Sequence, residues 1–170
     1  WTHILIPRYY GDTGAIFEDS RNNFWISALD GIYLYEREKN TFSKEFGTST
    51  YQIIEDRKNR LWLATGNGLF RYDFGKNEFV HFLANPDVPN GLNDNHVHCV
   101  FEDKAGNIWV GTNEGVNLYI TQNEMMTHIT HISGVENSLT SNDIVCTMQD
   151  HLQQLLTSNI QLQLIVVVPK

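Results

Sequence analysis

Basic side chains are scarce in this sequence and form no run: 12 Lys and Arg stand against 20 Asp and Glu, for a formal net charge of −8 at pH 7. A protein that grips a phosphate backbone does so with clustered Lys and Arg, so nucleic acid is not an expected partner. Long apolar stretches are missing too. The longest, residues 164–168, is far short of the roughly 20 residues a membrane helix needs, and no charged-then-apolar leader opens the chain. These residues are therefore expected to make no membrane contact. There is no glycine-rich phosphate loop and no nucleophile elbow, and no Ser, His and Asp set stands out. What remains is globular in composition, 41% hydrophobic and 12% aromatic, which argues against a disordered segment.

The sequence is rich in itself. Residues 100–119 read VFEDKAGNIWVGTNEGVNLY, residues 55–72 read EDRKNRLWLATGNGLFRY and residues 18–35 read EDSRNNFWISALDGIYLY. Asp, Trp, Gly and Tyr keep one spacing in all three: Asp19, Trp25, Gly31, Tyr35; Asp56, Trp62, Gly68, Tyr72; Asp103, Trp109, Gly115, Tyr119. Self-similarity of this kind marks a propeller, solenoid or array. Trp1-Thr2-His3-Ile4 resembles Phe79-Val80-His81-Phe82 and Met126-Thr127-His128-Ile129, which places residues 1–6 as the last strand of a preceding unit.

Each copy divides into four short runs of β-branched and aromatic residues separated by Gly, Asn and Asp turn signals. Connections this short allow only antiparallel neighbours, so each copy is expected to be a four-stranded meander. Its second run (Phe24-Trp25-Ile26, Leu61-Trp62-Leu63, Ile108-Trp109-Val110) is apolar on both faces, as in a strand covered from both sides. The next copy is the economical cover, and sheets stacked face to face around an axis are the blades of a propeller. Trp-to-Trp spacings of 37 and 47 residues bracket the roughly 40–45 of blade repeats. The expected fold is all-β, a β-propeller fragment of four-stranded antiparallel blades at 14–46, 50–82 and 95–130, with a further blade starting at 142–150. A β-helix is the rival, but its coils are shorter and lack regular hairpins.

Cys99 and Cys146 fall on the 47-residue offset that aligns the two long linkers. Equivalent points on stacked sheets are about 10 Å apart, beyond the roughly 7 Å a disulfide spans, so both read as buried thiols. Beyond Asp150 the pattern fails: Leu156 stands where Trp is due, with no glycine after Gly134 and no aromatic residue after Tyr119. Residues 151–170 are either a diverged last blade, with strands at 155–157 and 160–168, or a non-native tail from an altered reading frame.

The string ED-KAGN-IWVGT-NEGVNLY, together with the linker form NSLTSNDI, resembles the two-component regulator propeller repeat over about residues 14–150. Ser27-Ala28 and Ala64-Thr65 depart from the Gly111-Thr112 of the third copy, and the end does not match. The resemblance implies a seven-bladed propeller in the periplasm of a Bacteroidetes-type hybrid two-component system. There a membrane segment, a histidine kinase and a DNA-binding response regulator follow, and the signals sensed are carbohydrates. This fragment itself is expected to be no enzyme and to need no cofactor.

Residues with chemistry have plain structural readings beside the functional ones. Adjacent strand residues face opposite ways, so Glu18-Asp19, Glu55-Asp56 and Glu102-Asp103 cannot act as acid/base pairs on one substrate. Asp19, Asp56 and Asp103 are expected to hold hairpin turns, and Trp25, Trp62 and Trp109 to wedge between blades. His3, His81 and His128 share one register in different blades, while His96 and His98 offer two ligands where zinc takes three or four; no metal is expected.

Three functions stay open: a sensory module, an enzyme of propeller fold such as a lyase or glycosidase, and a scaffold for pairing. Open blade faces and sheet edges are an association hazard, so chains are expected to pair through them rather than close a four-bladed ring. In a meander the turn between strands two and three shares its end with the interblade linker. That end gathers Asp30, Asn67, Asn113 and Glu114 with Asn93, Asp94 and Asn95. Amide and carboxylate groups suit hydroxyl-rich ligands, so this face is the expected oligosaccharide site.

Overall fold

A computed structural model describes residues 14–88, 90–135, 138–139 and 141–144, together with the backbone of strands Cys146–Gln149, Leu155–Ser158 and Leu164–Val167. Residues 1–6 lie outside these. Blade one is β1 (Ile16–Glu18), β2 (Phe24–Ala28), β3 (Gly31–Glu36) and β4 (Thr41–Phe46). Blade two is β5 (Thr50–Glu55), β6 (Arg60–Thr65), β7 (Gly68–Asp73) and β8 (Glu78–Phe82), and blade three is β9 (Val97–Glu102), β10 (Ile108–Thr112), β11 (Gly115–Ile120) and β12 (Met125–Ile129). Each is a four-stranded sheet in chain order with every pair antiparallel. A three-stranded sheet follows, β13 (Cys146–Gln149), β14 (Leu155–Ser158) and β15 (Leu164–Val167). The described residues include no helix. Of the strand expected over 160–168, Leu164–Val167 lies among the described residues and is a strand.

Turn chemistry explains why the chain folds back where it does. The hairpin joining the first and second strands turns through a left-handed residue, Asn22 (φ 64°), Asn59 (φ 56°) or Gly106 (φ 85°). These are residue types that tolerate positive φ. Gly68, which begins β7, has φ 94°, and a Cβ there would sit 2.4 Å from the Phe82 carbonyl oxygen. Gly115 repeats this, with φ 113° and a Cβ 2.5 Å from the Ile129 oxygen. The repeated glycine is thus where the end of the fourth strand crosses the start of the third.

Packing between sheets follows the second strand. All six residues of β6 and all five of β10 are buried, as their unbroken apolar runs require. Each tryptophan faces the following blade. Trp25 lies edge-on to Tyr72 (6.1 Å between centroids) and Phe74 (6.2 Å), Trp62 lies edge-on to Tyr119 at 5.1 Å, and Trp109 packs with Leu139 and Ile144. The close approaches between sheets run from the first and second strands of one sheet to the first strand of the next, β1 and β2 with β5, β5 and β6 with β9, and β9 and β10 with β13. The first strands therefore line the inner side of the arc.

One position on the second strand adjusts this stacking. Ser27 Oγ accepts the Thr50 backbone N–H at 2.7 Å, and Ala64 packs in one buried cluster with Val97. At Gly111 a Cβ would lie 2.6 Å from Cys99 Sγ and 2.8 Å from Ile144 Cγ2. A strand glycine replaced by alanine ordinarily gains about 0.5–1 kcal/mol. Here the larger Ile144 already fills the space, so Gly111→Ala is expected to destabilise by about 1–3 kcal/mol. Urea unfolding would read the sign directly; a gain in stability would contradict this account of the interface.

Candidate ligand-binding face

The repeated acidic residues belong to the opposite end of the blades from the candidate face. Asp56 Oδ1 accepts the backbone N–H groups of Lys58 and Arg60, both at 2.9 Å, while Oδ2 accepts Arg60 Nε at 2.7 Å and Trp62 Nε1 at 2.8 Å. Asp19 and Asp103 make the same bond to Trp25 Nε1 and Trp109 Nε1, each at 2.9 Å. Burial pushes the Asp19 and Asp56 carboxyls up, but these hydrogen bonds, joined at Asp56 by the Arg60 guanidinium, outweigh it and hold both below the ordinary value. The fixed six-residue step from Asp to Trp is thus a buried carboxylate–indole latch, whereas the turn alone accounts for one carboxylate oxygen. The neighbouring glutamates bind the turn of the preceding blade. Glu55 accepts Ser20 N at 2.6 Å and Ser20 Oγ at 2.7 Å, and Glu102 accepts Arg57 N at 3.2 Å.

At the linker end, the residues expected to meet a ligand divide into three kinds. Asn93 and Asn95 tie the linker down. Asn93 Nδ2 donates to the Glu114 carbonyl at 2.7 Å, and its Oδ1 accepts Asn117 Nδ2 at 2.6 Å and Thr112 Oγ1 at 3.0 Å. Asn95 Oδ1 accepts the Ala84 N–H at 2.7 Å. Asp94 closes a local turn by accepting the His96 N–H at 3.0 Å. Asn67 and Glu114 are exposed at the turn tips, and Asp30 accepts Tyr33 Oη at 2.8 Å and Lys44 Nζ at 2.9 Å. Those two bonds hold the Asp30 carboxyl below its ordinary value. Asn113, likewise exposed, accepts His98 Nε2 at 2.7 Å through its Oδ1.

The face has two concavities of different character. Under the linker between blades two and three, Ala84, Asn85, Pro86, Val88, Leu92, Asn93 and His128 line an open cleft of about 310 Å³. On the inner side, Tyr51 of β5 lies over His96, which just precedes β9, and His98 of β9, with ring centroids 5.7 and 6.3 Å apart and planes within 24° and 26°. Tyr51 and His98 hold one repeat position, each eleven residues before its tryptophan, where blade one has Gly14. A copy-specific residue in an otherwise repeated framework was the sequence signal for this cluster. Among the described residues no group of three or more His, Cys, Asp and Glu side chains is arranged to hold a metal ion.

Residues 91–114, covering the linker and the first half of blade three, match the family model described as two component regulator propeller. The chain carries a two-component regulator propeller repeat. No curated protein matches it. Among solved structures, this propeller arc is similar to the extracellular domain of BT3049 from B. thetaiotaomicron, described as a hybrid two component system. The TM-score is 0.79 at 19% identity, over 89% of this chain and 22% of that one. The extracellular domain of BT4673 from the same organism, described as a one component system, matches with a TM-score of 0.78 at 18% identity, over 98% of this chain and 23% of that one. Virginiamycin B lyase from Staphylococcus aureus shares the fold more distantly, with a TM-score of 0.62 at 13% identity over 97% of this chain and 58% of the lyase. The chain thus spans less than a quarter of the extracellular domains it resembles.

Proposed function

We propose that this chain is part of the extracytoplasmic, periplasmic ligand-sensing propeller of a hybrid two-component signalling protein, and that it senses carbohydrate without transforming it. In the full-length protein the signal would pass to a histidine kinase. The observation that carries the reading is the contrast between the two ends of the blades. At one end the same carboxylate–indole latch recurs in every copy. At the other, the tip residues that share one repeat position, Asp30, Asn67 and Glu114, differ in identity. Variable tips on a rigid frame are how loops carry recognition. The likeness in fold to the extracellular domain of BT3049, described as a hybrid two component system, supports the setting.

A ligand that binds only the folded state raises stability by mass action, by about 2.7 kcal/mol at a hundred times its Kd. At least one pool of soluble oligosaccharides is therefore expected to raise the thermal midpoint of this chain, with no new reducing ends formed on incubation. Midpoints unmoved by every pool would leave a scaffold role instead. One observation favours a catalytic alternative: His98 and Asp143, 3.7 Å apart, form an unrepeated imidazole–carboxylate pair on the inner side, as an enzyme acting across the arc would need. Release of reducing ends, lost in His98→Ala, would establish that alternative.

A further inference from the structure

Two β-bulges in register aim side chains off their strands at the inner edge of the linker face. Between β5 and β6, Thr50 pairs with Thr65 and Gln52 with Ala64, which leaves Tyr51 as the extra residue. Between β9 and β10, Val97 pairs with Thr112 and Cys99 with Gly111, which leaves His98. A bulge re-aims the side chain it carries and is over-represented beside binding sites. Tyr51 is 45% exposed, an unusual condition for an aromatic ring on an innermost strand. The rings of His96 and His98 lie 4.8 Å apart beneath it. Gly66 makes room for the group, because a Cβ there would lie 3.0 Å from Tyr51 Oη.

The third side of the cluster comes from the linker entering the fourth sheet. Asp143 Oδ1 is buried and makes no hydrogen bond among the described residues; it faces His98 Nε2, itself bonded to Asn113, at 3.7 Å, while the Asp143 side chain as a whole stays 35% exposed. A carboxylate short of donors is costly, and the exposed part of this one can take a donor from a ligand. The ligand must also present a flat apolar face to Tyr51, and its charge must not oppose Asp143 or the acidic chain.

We propose that Tyr51, His96, His98, Asn113 and Asp143 form a subsite for one neutral sugar ring, which stacks on Tyr51 and donates a hydroxyl to the exposed part of the Asp143 carboxylate. Two successive sheets and the linker into the next contribute to it, so the site exists only when the blades are assembled. The inference rests on the carbohydrate reading above and deepens it, since it excludes uronates: a ligand carboxylate would face Asp143 where a donor is wanted.

The test is titration of the whole 170-residue chain with neutral oligosaccharides (gluco-, manno- and galacto-series) and with oligoglucuronates. Binding is read by calorimetry and by the histidine and tyrosine ring resonances. A neutral series is expected to bind and to move the Tyr51 and His98 signals. Tyr51→Ala and Asp143→Ala should each weaken that binding about tenfold or more, while Tyr51→Phe, which keeps the stacking ring, binds as the parent does. Unfolding midpoints close to the parent in all three variants would assign the loss to the site rather than to the fold. Neutral-sugar binding undiminished in both alanine variants would overturn the subsite and leave the sensing reading standing. Preference for the glucuronates would overturn the charge argument and with it the proposal. Binding of no sugar by the parent chain would overturn both.

Discussion

Asp56→Ala is expected to lower stability by about 3–5 kcal/mol, because it strands a buried cation and a buried indole N–H together. Asp56 is 3% exposed and Arg60 8%, and the two pair at 2.6 Å. Asp56→Asn should recover little. Its amide would keep one acceptor oxygen for the turn N–H groups but turn an NH2 toward Trp62 Nε1 and the guanidinium, donor against donor. The pH dependence has a definite sign. Both Asp19 and Asp56 have folded-state values lowered from the ordinary 3.8. Their contribution is therefore fully present above that value and is lost as pH falls through the lower folded values. Urea midpoints of the parent should fall on acidification below pH 4, and Asp56→Ala should flatten that fall. Equal slopes for the two proteins would show that the latch is not what acid removes.

Trp62→Ala is expected to cost about 3–5 kcal/mol and to loosen blade three from blade two. Trp62 is 0% exposed and shares a cluster with Val97, Val100, Ile108 and Tyr119 of the next blade, with Phe82 stacked at 5.8 Å. Removing the ring takes material from both sides of a sheet interface, where no single sheet can relax to fill the space. Trp62→Phe separates the two contributions in part, since it keeps a six-membered ring in the interface and loses the N–H bond to Asp56 together with the volume of the five-membered ring. The Phe variant should sit between the parent and the Ala variant. Combined with Asp56→Ala it should cost less than the two separate losses added, because both remove the same bond. Hydrogen exchange should show faster opening in β9 and β10 of the Ala variant; exchange confined to β6 and β7 would place the wedge's effect within its own sheet.

The repeat made the architecture legible. Turn residues and apolar runs are local properties, so four-stranded antiparallel sheets could be read off three aligned copies, down to the glycine that starts each third strand. Asn93 and Asn95 show where that reading stopped. As linker amides they looked like ligand groups, yet they fasten the linker to blade three and to Ala84. Hydrogen-bond partners 24 and 11 residues away cannot be told from solvent in a sequence. The same holds for Glu55 and Glu102, which reach the turn of the preceding blade.

By itself the sequence determined the all-β class, the strand order within each blade and the residues that must be buried, because these follow from period, turn chemistry and apolar pattern along one stretch of chain. Tertiary structure alone decided what the repeated Asp and Trp do to each other, and where Tyr51, His98 and Asp143 meet. A one-residue bulge reverses the facing of a side chain without altering the pattern around it. Two sheets and the linker into a third must come together before the Asp143 carboxylate lies beside His98 and Tyr51.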